Sequence, residues 1–354
     1  MDRTFYLDLA AAGARLPIGA DLILKQHPDH GVILNDAARL ATVLMEAADA
    51  YHTPLAFPIM DLTLEKSALM EMLGVTDDAG TWHLPPRPDP VLLERFQANL
   101  SHPWPRRMQA NIQALRILAD QGVGRYFPIG MSIGPVSLMS KLLVDPITPL
   151  FLAGSGLTAA EDEDVATLDL AAELAIRMVL RYVEAQAQAG AAAIFIAEPA
   201  ANRCYFSPRQ MEAGSNVWEH YVLAANRRVL DLLQRRGVDL FFHCCGDLTD
   251  AMVASFRALD PALLSLGSSR CLWHDAALLP RSIVLYGNLP TKLFYSDESM
   301  PAARVAQWTN ELTRRMTQVG HPFILGSECD VLSVAGREAT IRRKLDVMLT
   351  HPSA

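Results

Sequence analysis

Gly237-Val238-Asp239-Leu240-Phe241-Phe242-His243-Cys244-Cys245 is the stretch on which the fold turns. A glycine closes the helical pattern before it, an apolar run follows, and metal-capable side chains stand at its far end. Alternate side chains of a strand face opposite sides, so His243 and Cys245 share a face and Cys244 points away. Upstream, Gly190 ends another helical segment, and Ala191 to Ala197 is a second apolar run without polar alternation. Strands covered on both faces read this way, and they belong to parallel sheets. Between the two runs lies a helix with a legible entry. Ser207 is its N-cap, Pro208 takes the first helical position and Gln210 completes a capping box. The pattern breaks at Gly214 and resumes through Arg236.

The unit repeats along the chain. Residues 161–189 read as one long helix with an acidic start (Glu161, Asp162, Glu163, Asp164), which suits the positive end of the helix dipole. Leu168, Ala172, Ile176, Val179, Leu180 and Val183 form its apolar face at spacings of three and four. Further strands fit residues 55–60, 126–131, 263–266, 283–286 and 323–325. With the two runs above they make seven, and the eighth is placed at residues 81–84. Strand–helix repetition implies an α/β fold, either an open doubly wound sheet or a closed barrel. An open sheet gathers chemistry near its switch point, whereas a barrel gathers it at the carboxyl ends of all its strands. Asp61, Glu198, His243 with Cys245, Asn288 and Cys329 fall at such ends over most of the strands. The expectation is therefore a (β/α)8 TIM barrel as a single domain over residues 1–354. Residues 51–350 form the barrel and residues 1–50 a helical N-terminal extension. The Pro-rich stretch Leu84 to Pro90 reads as an extended surface segment.

Composition narrows the class. The chain is 51% apolar and 20% charged, with net charge −8. That balance argues against nucleic acid or an anionic membrane as partner. No run of 18 apolar residues exists, so no membrane span is expected. Asp2, Arg3, Asp8, Arg15 and Pro17 interrupt any leader-like apolar core, which makes a cytoplasmic location the expectation. Five cysteines in 354 residues do not make a disulfide framework; they are buried, catalytic or metal-binding.

Cys329 follows Cys245 after 84 residues (329 − 245), just past the apolar run Pro322 to Leu325. One imidazole and two thiolates are the donor set of a zinc site with an open fourth position. Two thiolates offset the ion's charge. A substrate thiol at the open position loses its proton while its sulfur stays nucleophilic, which suits attack on an activated methyl group. Generation of hydroxide prefers more neutral ligand sets. A His-x-Cys pair also arises by chance, and cysteine also serves as a small buried apolar residue. Spacing alone leaves both readings open.

Several motifs in order resemble the uroporphyrinogen decarboxylase superfamily. They are Phe57-Pro58-Ile59-Met60-Asp61-Leu62-Thr63-Leu64-Glu65, Ile133-Gly134-Pro135, the Ser207-Pro208 helix entry, His243-Cys244-Cys245-Gly246-Asp247, Leu285-Tyr286-Gly287-Asn288-Leu289 and Gly326-Ser327-Glu328-Cys329. The resemblance spans roughly residues 50–350 and implies the same eight-stranded barrel. The decarboxylases of that superfamily carry an arginine-rich amino-terminal segment, whereas residues 13–27 here hold only Arg15 and Lys25. The corrinoid-linked methyltransferase branch, which includes methylcobamide:coenzyme M enzymes, uses zinc on a His-x-Cys pair and a distant Cys. The resemblance thus implies zinc on His243, Cys245 and Cys329, and methyl transfer between a methylated corrinoid protein and a small acceptor, favoured as a thiol. The chain has no Asp-x-His-x-x-Gly segment to ligate cobalamin, so the corrinoid is expected on a partner protein.

Three alternatives remain beside this reading. One is the reverse-direction demethylase, which moves methyl from a methoxylated or methylated compound to a corrinoid protein. The second is a metal-free decarboxylase, and the third a non-catalytic corrinoid-protein binding module. Asp61 and Glu198 are the candidate catalytic carboxylates. For Asp61 the competing role is helix capping; Glu198 is read as orienting a zinc ligand or taking up a proton, and its competing role is pairing with an arginine such as Arg203. Arg203, Arg270 and Lys292 are candidates to hold an anionic substrate group. Asn288 either lines the pocket or fixes a loop. Glu328 is expected to point away from the site, Cys204, Cys244 and Cys271 to pack, and His220 to be structural.

Overall fold

The computed structural model of the protein describes residues 3–87, 89 and 91–350. Eight strands run in parallel: β1 (Arg15–Ile18), β2 (Leu55–Ala56), β3 (Phe127–Ile133), β4 (Ala193–Ala197), β5 (Asp239–Cys244), β6 (Leu263–Leu266), β7 (Val284–Leu289) and β8 (Phe323–Asp330). Their order is β1-β8-β7-β6-β5-β4-β3-β2. Although β1 and β2 end that order, Leu16, Ile18 and Leu55 lie in one buried cluster with Phe195, Phe241, Tyr286 and Ile324. This shared interior closes the curled sheet into a (β/α)8 barrel.

Alternation persists inside strands that are buried on both faces. Ala193, Phe195 and Ala197 pack in the interior, while Ile194 and Ile196 pack in the outer layer beneath the helices. On β5, Phe241 points in, and Leu240, Phe242 and Cys244 point out. The next inward position is His243, which is how an unbroken apolar run delivers an imidazole to the barrel mouth.

The long helix runs Glu163–Gln188, and its N-cap Asp162 accepts from the backbone N–H of Asp164 and Val165. Ser207 caps Pro208–Glu212 by accepting from Gln210 N. The expected capping box is not completed: the Gln210 side chain donates instead to Phe151 O and Ser155 Oγ. A π-helical turn, Glu219–Ala224, leads into the helix Ala225–Arg236, and Gly237 closes it at φ +66°.

Two expectations need correction. Residues 81–84 form no strand; the eighth strand is β1, inside the segment read as a helical extension. Arg15 and Pro17 hid it, because proline cannot donate to a ladder and argues against a strand. Here β1 is bonded only to β8, so Pro17 sits on an end strand where the loss is tolerated. The helix Thr4–Ala11 does act as a cap, but at the other end of the barrel from the site. Tyr6 packs on Phe241 at 5.1 Å and donates to Asp239 Oδ2 at 2.9 Å, where β5 begins. Of the Pro-rich stretch, Pro88 and Pro90 lie outside the described residues. Among the described residues, no single helix is long and apolar enough to cross a membrane.

Candidate metal centre

His243 on β5, Cys245 just beyond it and Cys329 on β8 converge at the carboxyl end of the barrel. Their potential ligand atoms all lie within 4.8 Å of one another. The imidazole is 1% exposed. It stacks on Phe195 with ring centroids 5.2 Å apart. Ser265, its register partner on β6, places Oγ 2.8 Å from Nδ1. This leaves Nε2 buried and without a hydrogen-bond partner. Such an orphan is costly in a folded interior, and a cation held with the two thiols would satisfy it. The donor set fits zinc.

The electrostatics favour thiolate. The bond from Cys329 holds the Cys245 thiol far below the usual thiol range; burial opposes this, and His243 and Lys292 reinforce it. The same bond, together with burial, pushes Cys329 up. Burial works against the Lys292 ammonium, yet Cys245, Cys329 and Glu328 outweigh it and hold its pKa above the ordinary lysine value. Glu328 turns away from the cluster, as expected, and accepts from Ser268 Oγ at 2.5 Å and Lys292 N at 3.4 Å.

The other sequence candidates take different places. Glu198 does not orient His243, whose Nδ1 partner is Ser265. Its carboxylate is fully buried and accepts from the N–H groups of Val136 (3.2 Å) and Ser137 (2.6 Å), at the start of the helix Pro135–Leu142, and from Asn226 Nδ2 (3.2 Å). A Cβ on Gly134 would come within 2.3 Å of that carboxyl, so glycine is needed there. Arg203 pairs with Asp247 at 2.5 Å rather than with Glu198. Asn288 Nδ2 donates to Gly267 O (2.7 Å) and Arg270 O (2.9 Å), and so fixes the loop after β6. Arg270 is held by Asp250 and Asp275. Cys244 packs outward with Sγ on Ala201 O at 3.3 Å.

Asp61 accepts from Thr63 N (3.1 Å) and Thr63 Oγ1 (2.6 Å), a side-chain turn just before the helix Leu64–Leu73; the N-cap of that helix is Thr63, so Asp61 does not cap it. Four residues on, the buried Glu65 accepts from Ser132 Oγ and Ile133 N through Oε1, while Oε2 has no partner. Burial raises the Glu65 carboxyl from 4.5 to about 7. With the folded value above the unfolded one, its contribution is fully present below pH 4.5 and is lost as pH rises through 7. The full span corresponds to about 3 kcal/mol. Glu65→Gln is expected to raise the thermal midpoint increasingly from pH 5 to pH 8, relative to wild type. A gap that is flat in pH would refute the assignment.

Sequence reasoning missed Ser265, Phe195 and Glu65. For Ser265 there was a signal: a lone hydroxyl in Leu263-Leu264-Ser265-Leu266, two positions from an inward residue. Ser265→Ala is expected to weaken zinc binding about 10–100-fold by releasing the imidazole. Chelator competition measures this, and unchanged affinity would remove Ser265 from the centre.

Comparisons with known proteins agree with this architecture. Methylcobamide:CoM methyltransferase MtbA of Methanosarcina mazei is 24% identical over 243 residues, 66% of this chain and 65% of that protein. The protein of the same name from Methanosarcina acetivorans is 24% identical over 227 residues, 61% of this chain and 59% of that protein. The aligned region thus spans less than two thirds of either relative. A solved structure of a methyltransferase from Methanosarcina mazei superposes with TM-score 0.64 at 16% identity, covering 98% of both chains. The uroporphyrinogen decarboxylase (URO-D) pattern matches residues 23–339. By that match the chain belongs to the uroporphyrinogen decarboxylase family.

Proposed function

We propose that the protein transfers a methyl group between a corrinoid carried on a separate protein and a small acceptor, with a thiol as the favoured acceptor. The observation that carries this reading is the convergence of His243, Cys245 and Cys329 around one point, with Nε2 unpartnered. The names of the two Methanosarcina relatives support the corrinoid and the methyl group. His243 Nε2 and the sulfurs of Cys245 and Cys329 would hold zinc. Bound there, zinc supplies a Lewis-acid position that keeps an acceptor thiol deprotonated at neutral pH.

The chain's own residues do the rest. Ser265 and Phe195 fix the imidazole plane. Lys292 places positive charge beside Cys245. The barrel wall excludes water from the His243 side and leaves the mouth for the acceptor and the corrinoid protein. In the transfer, one carbon–sulfur bond forms from a sulfur lone pair as one carbon–cobalt bond breaks, and the electron pair of the broken bond stays on cobalt. Orientation and a deprotonated sulfur are what the protein must provide.

The test incubates the zinc-loaded protein with methylcobalamin and excess 2-mercaptoethanol. Loss of methylcobalamin absorbance with formation of the methyl thioether, both dependent on the protein, is the expected result. Methylcobalamin formed from cob(I)alamin and a methylated compound without thiol would select the reverse-direction demethylase. Carbon dioxide release from a porphyrinogen after chelation would select the metal-free decarboxylase. Binding of corrinoid protein without turnover of any acceptor would select the binding module.

A further inference from the structure

The two thiols of the centre come from strands that are not neighbours. Cys329 rides on β8, and Cys245 lies one residue past β5, which ends at Cys244. Strands β6 and β7 stand between them in the sheet, yet the two sulfurs lie within 4.8 Å of one another. Two sulfurs on one tetrahedral zinc, with bonds of about 2.3 Å, would stand about 3.8 Å apart. A disulfide needs about 2.05 Å. The last residue of β5 paired with β6 is Cys244, opposite Leu266, so Cys245 can swing without breaking the ladder. Both thiols are half-buried rather than sealed, and Cys329 forms part of the wall of a cavity of about 460 Å³. A small neutral oxidant such as hydrogen peroxide fits that route. Cys244 offers no competing bridge, because it is buried in the outer layer with Sγ on Ala201 O.

We propose that Cys245 and Cys329 form a reversible disulfide that releases the metal, which makes the centre a redox switch. Only the release of metal rests on the zinc reading above; the bridge stands on the placement of the two thiols. The Cys329 sulfur attacks one peroxide oxygen, the O–O bond breaks, and the departing hydroxide takes a proton and leaves as water. The Cys245 sulfur then attacks the sulfenyl sulfur, so that the S–S bond forms, the S–O bond breaks and a second water leaves. The two sulfurs give up two electrons and peroxide takes them. The two protons come from the thiols, or from solvent where the sulfurs are held by zinc as thiolates. A metal keeps its grip on thiolate and not on a neutral disulfide, which leaves His243 as the one donor of the three. A small thiol reverses the step by exchange. The acceptor proposed above would therefore also keep the centre reduced.

The experiment treats a Cys204→Ser/Cys271→Ser protein, metal-free and zinc-loaded, with stoichiometric hydrogen peroxide. Cys204 is exposed and Cys271 half-buried, so replacing them removes the other accessible thiols. Peptide mapping by mass spectrometry is expected to find a Cys245–Cys329 cross-link in both preparations. A chromogenic chelator is expected to record about one zinc released per cross-link. Dithiothreitol should undo the cross-link and allow zinc to rebind. Adding Cys329→Ser should abolish the intramolecular cross-link. Oxygenated cysteine without a cross-link, a Cys244–Cys245 bridge, or a cross-linked protein that keeps its zinc would each overturn the inference. A Cys245–Cys329 cross-link in a protein that takes up no zinc upholds the bridge and refutes the zinc reading instead.

Discussion

Metal analysis of the purified protein is expected to return about one zinc per chain, with His243→Ala and Cys329→Ser returning almost none. Among the described residues, three side chains supply the donors on offer at this point, so losing one leaves a two-ligand grip. The cost in affinity is expected to exceed the 10–100-fold typical of losing a group that only supports a ligand. The adjacent cysteines provide an internal control. Cys245→Ser should lose zinc, whereas Cys244→Ser should keep it, because Cys244 faces the outer layer. Circular dichroism would establish that the depleted variants are folded. Full zinc in either His243→Ala or Cys329→Ser would remove the basis for the proposed chemistry while leaving the barrel untouched.

Glu198→Ala is expected to destabilise the protein by about 3–5 kcal/mol, with zinc per folded chain unchanged. The carboxylate is fully buried and accepts from two backbone N–H groups and from Asn226. Each donor left unmet in the interior costs about 1–3 kcal/mol, and the sum is limited by relaxation around the vacated space. Glu198→Gln retains an acceptor oxygen and should lose less. Urea denaturation of the zinc-loaded protein measures both. A Glu198→Ala variant as stable as wild type but without methyl transfer would restore the catalytic role first read from the sequence.

The parts that were legible share a physical reason. Apolar runs of strand length set between helical patterns read as doubly covered strands, and seven of the eight strands were located this way. Period two inside β5 then fixed which of two adjacent cysteines faces the centre. Strand β1 was not legible, because four residues with an arginine and a proline carry no periodic signal; only its pairing with β8 makes it a strand. The surroundings of Glu198 were hidden for a related reason. A carboxylate at a strand end looks the same in sequence whether it meets a substrate or the first turn of a helix far off in the chain. Lys292, flagged as an anion holder, lines the cavity beside Cys329, and Cys245, a residue 47 positions away (292 − 245), helps to hold its pKa up.

The pairing of β1 with β8 also sets an order of assembly. Arg15 is in register with Leu325, so the earliest strand to leave the ribosome waits for the latest before it gains a neighbour. Contacts that distant in sequence form late and slow folding. Cys329 arrives on the same late strand, which means that a partly synthesised chain offers a metal only His243 and Cys245. On the proposed zinc reading, ion capture and closure of the sheet are tied to one event, and an immature protein would be kept from holding an ion tightly before the walls around it exist.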